Sequence, residues 1–211
     1  MQGDYCSWLP LGIDENIFSP ISQDPQYDIL FTGYLRQPDY QNRLLYLKKL
    51  LASDLIEKYK VALAVSFGSR FIPGYVRKSG AIFLGRLPMD QYAKAVANSK
   101  ICVNILQSDG KQPLNPLFFG IGACASCQVI EYRDYFDQWL QSEQHFASVT
   151  PDNFIATLDE LLAGQGYKSF ADRAYQAVIP HHTFNSRAQA ILEGLTQISP
   201  QKGIFKPLNS L

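Results

Sequence analysis

The sequence has no surplus of charge. Its 211 residues carry 19 Lys and Arg against 19 Asp and Glu, a formal net charge of +0. A basic footprint for nucleic acid is therefore absent in bulk. There is no apolar run of about 18 residues, the length that a membrane-spanning helix needs. The opening stretch MQGDYCSWLPLG lacks the basic region and apolar run of a secretory signal. Cysteine is scarce. Cys6, Cys102, Cys124 and Cys127 are too few for a disulfide scaffold in a chain this long, so a reducing cytoplasm is the expected setting. Internal repeats, low-complexity segments and an Asp-x-Asp metal motif are also missing.

What is present is material for a core. Hydrophobic residues make up 46 % of the chain and charged residues 18 %, a balance that suits a folded α/β unit. Apolar runs closed by glycine, YDILFTG (27–33) and KVALAVSFG (60–68), read as buried strands. GAIFLG (80–85), KICVNIL (100–106), CQVIE (127–131) and HFASVT (145–150) read as further strands. Leu44, Leu47, Leu51, Leu55 and Ile56 recur at helical spacing through 41–59. Helices are also expected at 89–99, from about Asn115 to Cys124, and at 133–140, 151–164, 168–179 and 183–198. Strands alternating with helices imply a parallel sheet with helices on both faces. The expected division is a connector at 1–26, a Rossmann-like domain at 27–198 and a tail at 199–211.

Such sheets bind ligands beyond the carboxyl ends of their strands, where the strand order reverses. The loops there hold Gly33, Arg36, Gly68, Ser69, Arg70, Gly85, Arg86, Asp109, Gly110, Lys111, Asn115 and Glu131. Lys111 precedes a helix start, and helix N-termini attract phosphate. With Arg36, Arg43, Arg70 and Arg86 in or near neighbouring loops, the residues favour an anionic ligand over a plain polar loop.

Three further motifs read more simply as packing. GIGACA (120–125) matches the relaxed dinucleotide fingerprint, but it follows a poor strand and Glu131 is too near to be its acidic partner. Cys124 and Cys127 form a C-x-x-C at a helix C-terminus, where the dipole disfavours a thiolate, so they read as small buried residues. His181 and His182 stand beside Thr183, a candidate helix cap.

The ordered set WLPLGID (8–14), YDILFTG, GRLPMDQYAKAVANSKICVNI, NPLFFGIGACASCQVIEYRDYFDQWL and HHTFNSRAQAIL resembles the donor-nucleotide-binding, C-terminal domain of GT-B glycosyltransferases. The branch it resembles is group 1, spore-coat-protein-like, over about residues 8–193. The resemblance implies a single domain of the GT-B type that binds a nucleoside-diphosphate sugar without a metal or other cofactor. By matching position, it makes Gly33 the glycine after the first strand and Arg43 the arginine that starts the next helix. Gly85 precedes the base-contacting loop, Asn115 opens the phosphate-side helix, and Glu131 is the acid after the following strand. Arg36, Arg43 and Lys111 become candidates to stabilise a leaving diphosphate, and Glu131 an acceptor for a ribose or sugar hydroxyl.

Two departures stand out. The family reads N-x-R-x-F-E where this chain has Asn115, Pro116, Leu117, Phe118, Phe119 and Gly120, so an arginine and a glutamate are replaced by Leu117 and Gly120. Gly120 thus leaves room for a ligand or marks lost activity, while Gly122 is expected to allow close helix–sheet packing. The connector also starts at residue 8, with no acceptor domain before it. The expectation is a fragment of a longer chain, a donor half that works with a separate N-terminal acceptor chain, or a non-catalytic nucleotide-binding or scaffolding remnant that pairs with another chain.

Overall fold

The apolar runs assemble into one sheet. The structure, a computed structural model, describes residues 9–21, 24–35, 40–68, 72–106 and 114–198, with side chains to 195. Strands β1 (Tyr27–Tyr34), β2 (Val61–Ser66), β3 (Ile82–Phe83), β4 (Ser99–Val103), β5 (Cys127–Glu131) and β6 (Ala147–Val149) pair in the order β3-β2-β1-β4-β5-β6. All five pairings are parallel. The α/β, Rossmann-like architecture expected from the sequence is therefore the one found. The chain leaves β1 to one side for β2 and β3, then crosses back to β4, so the order reverses between β1 and β4.

Side chains alternate across a strand, and β1 shows it. Ile29 and Phe31 enter one core layer, while Leu30 enters the other. The first layer packs under α1 (Gln41–Leu51), α2 (Leu55–Lys58), α3 (Gly74–Arg77) and α6 (Phe154–Ala163). The second packs under α4 (Met89–Ala97), α5 (Leu117–Ala123) and α7 (Tyr167–His181). Helix α8 (Phe184–Ile198) follows α7 and is largely exposed.

Several element boundaries differ from the sequence reading for local reasons. The helix expected over 41–59 breaks after Leu51, where the Ser53 hydroxyl donates to the Leu50 carbonyl and competes with helix continuation. The helix expected at 133–140 is a 3₁₀ turn, Asp134–Gln138. Its Asp137 carboxylate takes the Tyr132 hydroxyl at 2.6 Å and the Ser142 N–H at 2.7 Å. The strand at 80–85 shrinks to Ile82–Phe83, bounded by Gly80 and Gly85, both at positive φ. Helix α7 runs on to His181 with Pro180 inside its last turn.

Residues 13–18 are part of the core. Ile13 and Phe18 are buried in the same layer as α5 and α7. The Ile13 N–H donates to the His182 carbonyl, and the Phe184 N–H donates to the Ile13 carbonyl. Thr183 caps α8 as expected, its hydroxyl accepting the Ser186 N–H at 3.1 Å.

Gly122 does serve close packing, but against a helix rather than the sheet. A Cβ there would lie 2.9 Å from Val178 Cγ2 and 3.2 Å from Ala174 Cβ, both on α7. Gly122→Val is expected to cost about 1–3 kcal/mol through overpacking, with part regained in Gly122→Val/Val178→Ala. Urea denaturation of the three proteins checks this; a neutral Gly122→Val would mean that α5 and α7 are not this close.

Candidate functional site

At the carboxyl edge, the reversal between β1 and β4 is drawn shut by side chains. The Thr32 hydroxyl donates to the Val103 carbonyl at 3.1 Å. Arg43, only 8 % exposed, donates from Nε to the Ile105 carbonyl at 2.7 Å and from Nη1 to the Tyr34 carbonyl at 2.8 Å. Its guanidinium also lies over the Tyr40 ring, 5.0 Å from the centroid. Burial lowers the Arg43 pKa, with Tyr40 and then Tyr92 opposing the shift. Gly33 makes this possible: at φ +140°, a Cβ would sit 2.5 Å from Arg43 Cδ. Arg43 therefore spends at least two of its donors on the backbone that shapes the site.

Beside this seam lies a cleft of about 490 Å³ lined by Gly33, Tyr34, Ser66, Arg86, Leu87 and Tyr92, among others. Arg86 is exposed there, and no ion pair among the described residues includes it. Gly85 lies next to Arg86, at φ +70°. Ser66, Leu87 and Tyr92 were not singled out from the sequence; their position after or beside strand ends was the available signal.

Glu131, at the end of β5, is held on both carboxylate oxygens. Oε2 accepts from Asn42 Nδ2 at 2.7 Å and pairs with Arg133 Nη2 at 3.1 Å. Oε1 takes the Tyr46 hydroxyl at 3.4 Å. Burial and then the Glu131 charge raise the Tyr46 pKa, which keeps it a donor. Asn42 and Arg133 are carboxylate partners that sequence reasoning missed, although Asn42 adjoins Arg43.

Asn115 opens α5, its Oδ1 accepting the Phe118 N–H at 2.9 Å. Gly120 lies one turn further on and is buried. A Cβ at Gly120 would meet the Phe18 ring at 3.0 Å. The space at Gly120 is thus filled by an aromatic ring from the segment before β1. Arg36 and Lys111 lie outside the described residues, as do Ser69, Arg70, Asp109 and Gly110.

Three cysteines and His182 are packed, while His181 is exposed. Cys102, Cys124 and Cys127 are buried free thiols. Burial pushes Cys102 up to about 12 and raises the other two. His182 stacks on Phe119 with ring centres 4.3 Å apart, and its Nδ1 meets Arg187 Nη2 at 2.7 Å. Burial, then the Arg187 charge, lowers its pKa to about 4. Among the described residues, no three His, Cys, Asp or Glu side chains gather as metal ligands. Nor, among the described residues, is any helix long and apolar enough to cross a membrane.

Solved structures share this fold. The C-terminal domain of a group 1 glycosyl transferase from Francisella tularensis is 12 % identical with a TM-score of 0.63, covering 82 % of this chain and 100 % of that one. Sucrose-phosphate synthase from Thermosynechococcus elongatus is 14 % identical with a TM-score of 0.64, over 92 % of this chain and 52 % of that one. HepE from Anabaena, solved with UDP-glucose, is 12 % identical with a TM-score of 0.65, over 88 % of this chain and 56 % of that one. This chain thus spans about half the length of the last two. No curated protein matches it. A family model described as "Glycosyl transferase-like" matches residues 17–193, and the chain belongs to that family.

Proposed function

We propose that this domain binds a nucleoside-diphosphate sugar and acts as the donor half of a metal-independent glycosyltransferase, together with an acceptor-binding half. The observation that carries the reading is the cleft beside the strand-order reversal, where Arg86 stands exposed without an ion-pair partner among the described residues. Such a cation suits a diphosphate. Membership of a glycosyl transferase-like family and a fold neighbour solved with UDP-glucose support the same ligand class. Within this reading Gly33 and Gly85 let backbone approach the nucleotide, and Arg36 and Lys111 add positive charge. Asn115 and Glu131 address ligand oxygens and hydroxyls. Arg43 acts by holding the Tyr34 and Ile105 carbonyls. The spore-coat-protein-like branch and a cytoplasmic location belong to the same proposal.

A second reading is favoured by one observation. Where the family pattern has a glutamate, Gly120 is packed under Phe18, which suits a non-catalytic domain that binds nucleotide or scaffolds a partner chain. Both nucleotide-binding readings share a first test. UDP or GDP is expected to bind at least about tenfold more tightly than uridine or guanosine, about 1.4 kcal/mol. Titration calorimetry reads this directly, and equal affinities would remove the diphosphate site.

A further inference from the structure

The start of α5 is joined to the end of β4 by two amides. Asn104, 2 % exposed, donates from Nδ2 to Asn115 Oδ1 at 3.4 Å, and Asn115 Nδ2 donates to Asn104 Oδ1 at 3.2 Å. The backbone of Asn104 is fixed as well, its N–H donating to the Val129 carbonyl at 2.9 Å. On either side, the Val103 and Ile105 carbonyls are taken by Thr32 and Arg43. Asn104 therefore sits in a frame set by β1, α1 and β5.

This frame decides which way the Asn115 amide points. The Phe118 N–H approaches one terminal atom of Asn115 at 2.9 Å. That atom must be the oxygen, because the flipped amide would set two donors against each other. An amide oxygen has two lone pairs. Here one serves Phe118 and the other Asn104. The amide nitrogen has two hydrogens. One serves Asn104, and the second has no partner among the described residues. Asn115 is partly exposed, so the group it can offer to a ligand is a donor, with no acceptor left beside it.

We propose that Asn104 is a positioning residue that holds Asn115 as a hydrogen-bond donor to an anionic oxygen of the bound nucleotide. The proposal rests on the nucleotide-sugar reading. Asn104 itself is too buried to touch the ligand and works through Asn115.

The test separates the donor from the cap. Asp and Asn cap helices about equally well, so Asn115→Asp keeps an oxygen for Phe118 and for Asn104 Nδ2 while losing both the free N–H and the one that serves Asn104 Oδ1. It is expected to melt below wild type, because the buried Asn104 oxygen loses its donor, and, measured at a temperature where both proteins are folded, to bind UDP at least about tenfold more weakly, since a hydrogen bond to a charged group is lost and a negative charge gained. Asn115→Ser, which caps and can still donate, is expected to bind more tightly than Asn115→Asp. Asn104→Ala is expected to weaken UDP binding, with Asn104→Ala/Asn115→Asp no worse than Asn115→Asp alone. If wild type binds UDP and Asn115→Asp binds it equally well, the donor assignment is overturned while the nucleotide reading stands. If wild type binds no UDP, both fall. Fully additive losses in the double variant overturn the positioning role of Asn104.

Discussion

Gly120→Glu, which puts back the residue of the family pattern, is expected to destabilise this protein by about 4 kcal/mol or more. The new Cβ would meet the Phe18 ring at 3.0 Å, and overpacking of this kind costs about 1–3 kcal/mol. The carboxylate then has to leave water in a layer built of Phe18, Phe118, Phe119 and Ile121, which adds several kcal/mol when no cation meets it. Leu117, where the pattern has arginine, offers no such cation. Removing the ring makes room, so Phe18→Ala/Gly120→Glu should be more stable than the sum of the two single effects predicts. Urea titrations of the four proteins give the cycle. Gly120→Glu within 1 kcal/mol of wild type would show that Phe18 does not occupy this place, and the case for a non-catalytic domain would lose its main support.

Gly33→Ala is expected to be nearly as damaging, at about 2–4 kcal/mol. A backbone at φ +140° is strained for alanine, and such strain costs about 1–3 kcal/mol. The methyl would also lie 2.5 Å from Arg43 Cδ and 2.7 Å from Nε. Arg43 cannot step aside without releasing the Ile105 and Tyr34 carbonyls, and a partly buried carbonyl left without its donor adds further cost. Chemical denaturation measures the loss. A change under about 0.5 kcal/mol would mean that Arg43 is free to move and so available to a ligand, which would return it to the diphosphate role its position in the family suggests.

These two glycines mark the limit of what the sequence made legible. The strands β1, β2, β4 and β5 are apolar runs, and their burial follows from composition alone. The helix cap at Thr183 is also a local signal. Phe18 against Gly120 is not: the two residues are about a hundred positions apart, and neither their spacing nor their chemistry announces the contact. Arg43 misleads in another way. An arginine in the first turn of a helix near the strand ends reads as a cation for an anionic ligand, and only the fold shows that Tyr34 and Ile105 present their carbonyls to it. The candidate site was legible as a set of loops, because the parallel order fixes where ligands go. The hydrogen-bond state of Asn115 and Glu131 was not, since it depends on Asn104, Asn42 and Tyr46, which come from other elements.

The bridge between Ile13 and Thr183 has a consequence for how such a unit can travel between genes. The strand-like contact at Ile13 brings the segment ahead of β1 against the start of α8. Everything between those two points, the whole sheet and seven of its helices, is a closed excursion that returns to where it left. A piece of chain tied off in this way can be set into a longer polypeptide, or exchanged for an equivalent piece, without pulling its ends apart. Recombination at these two points would therefore swap one such α/β cassette for another and leave the geometry of the surrounding chain as it was.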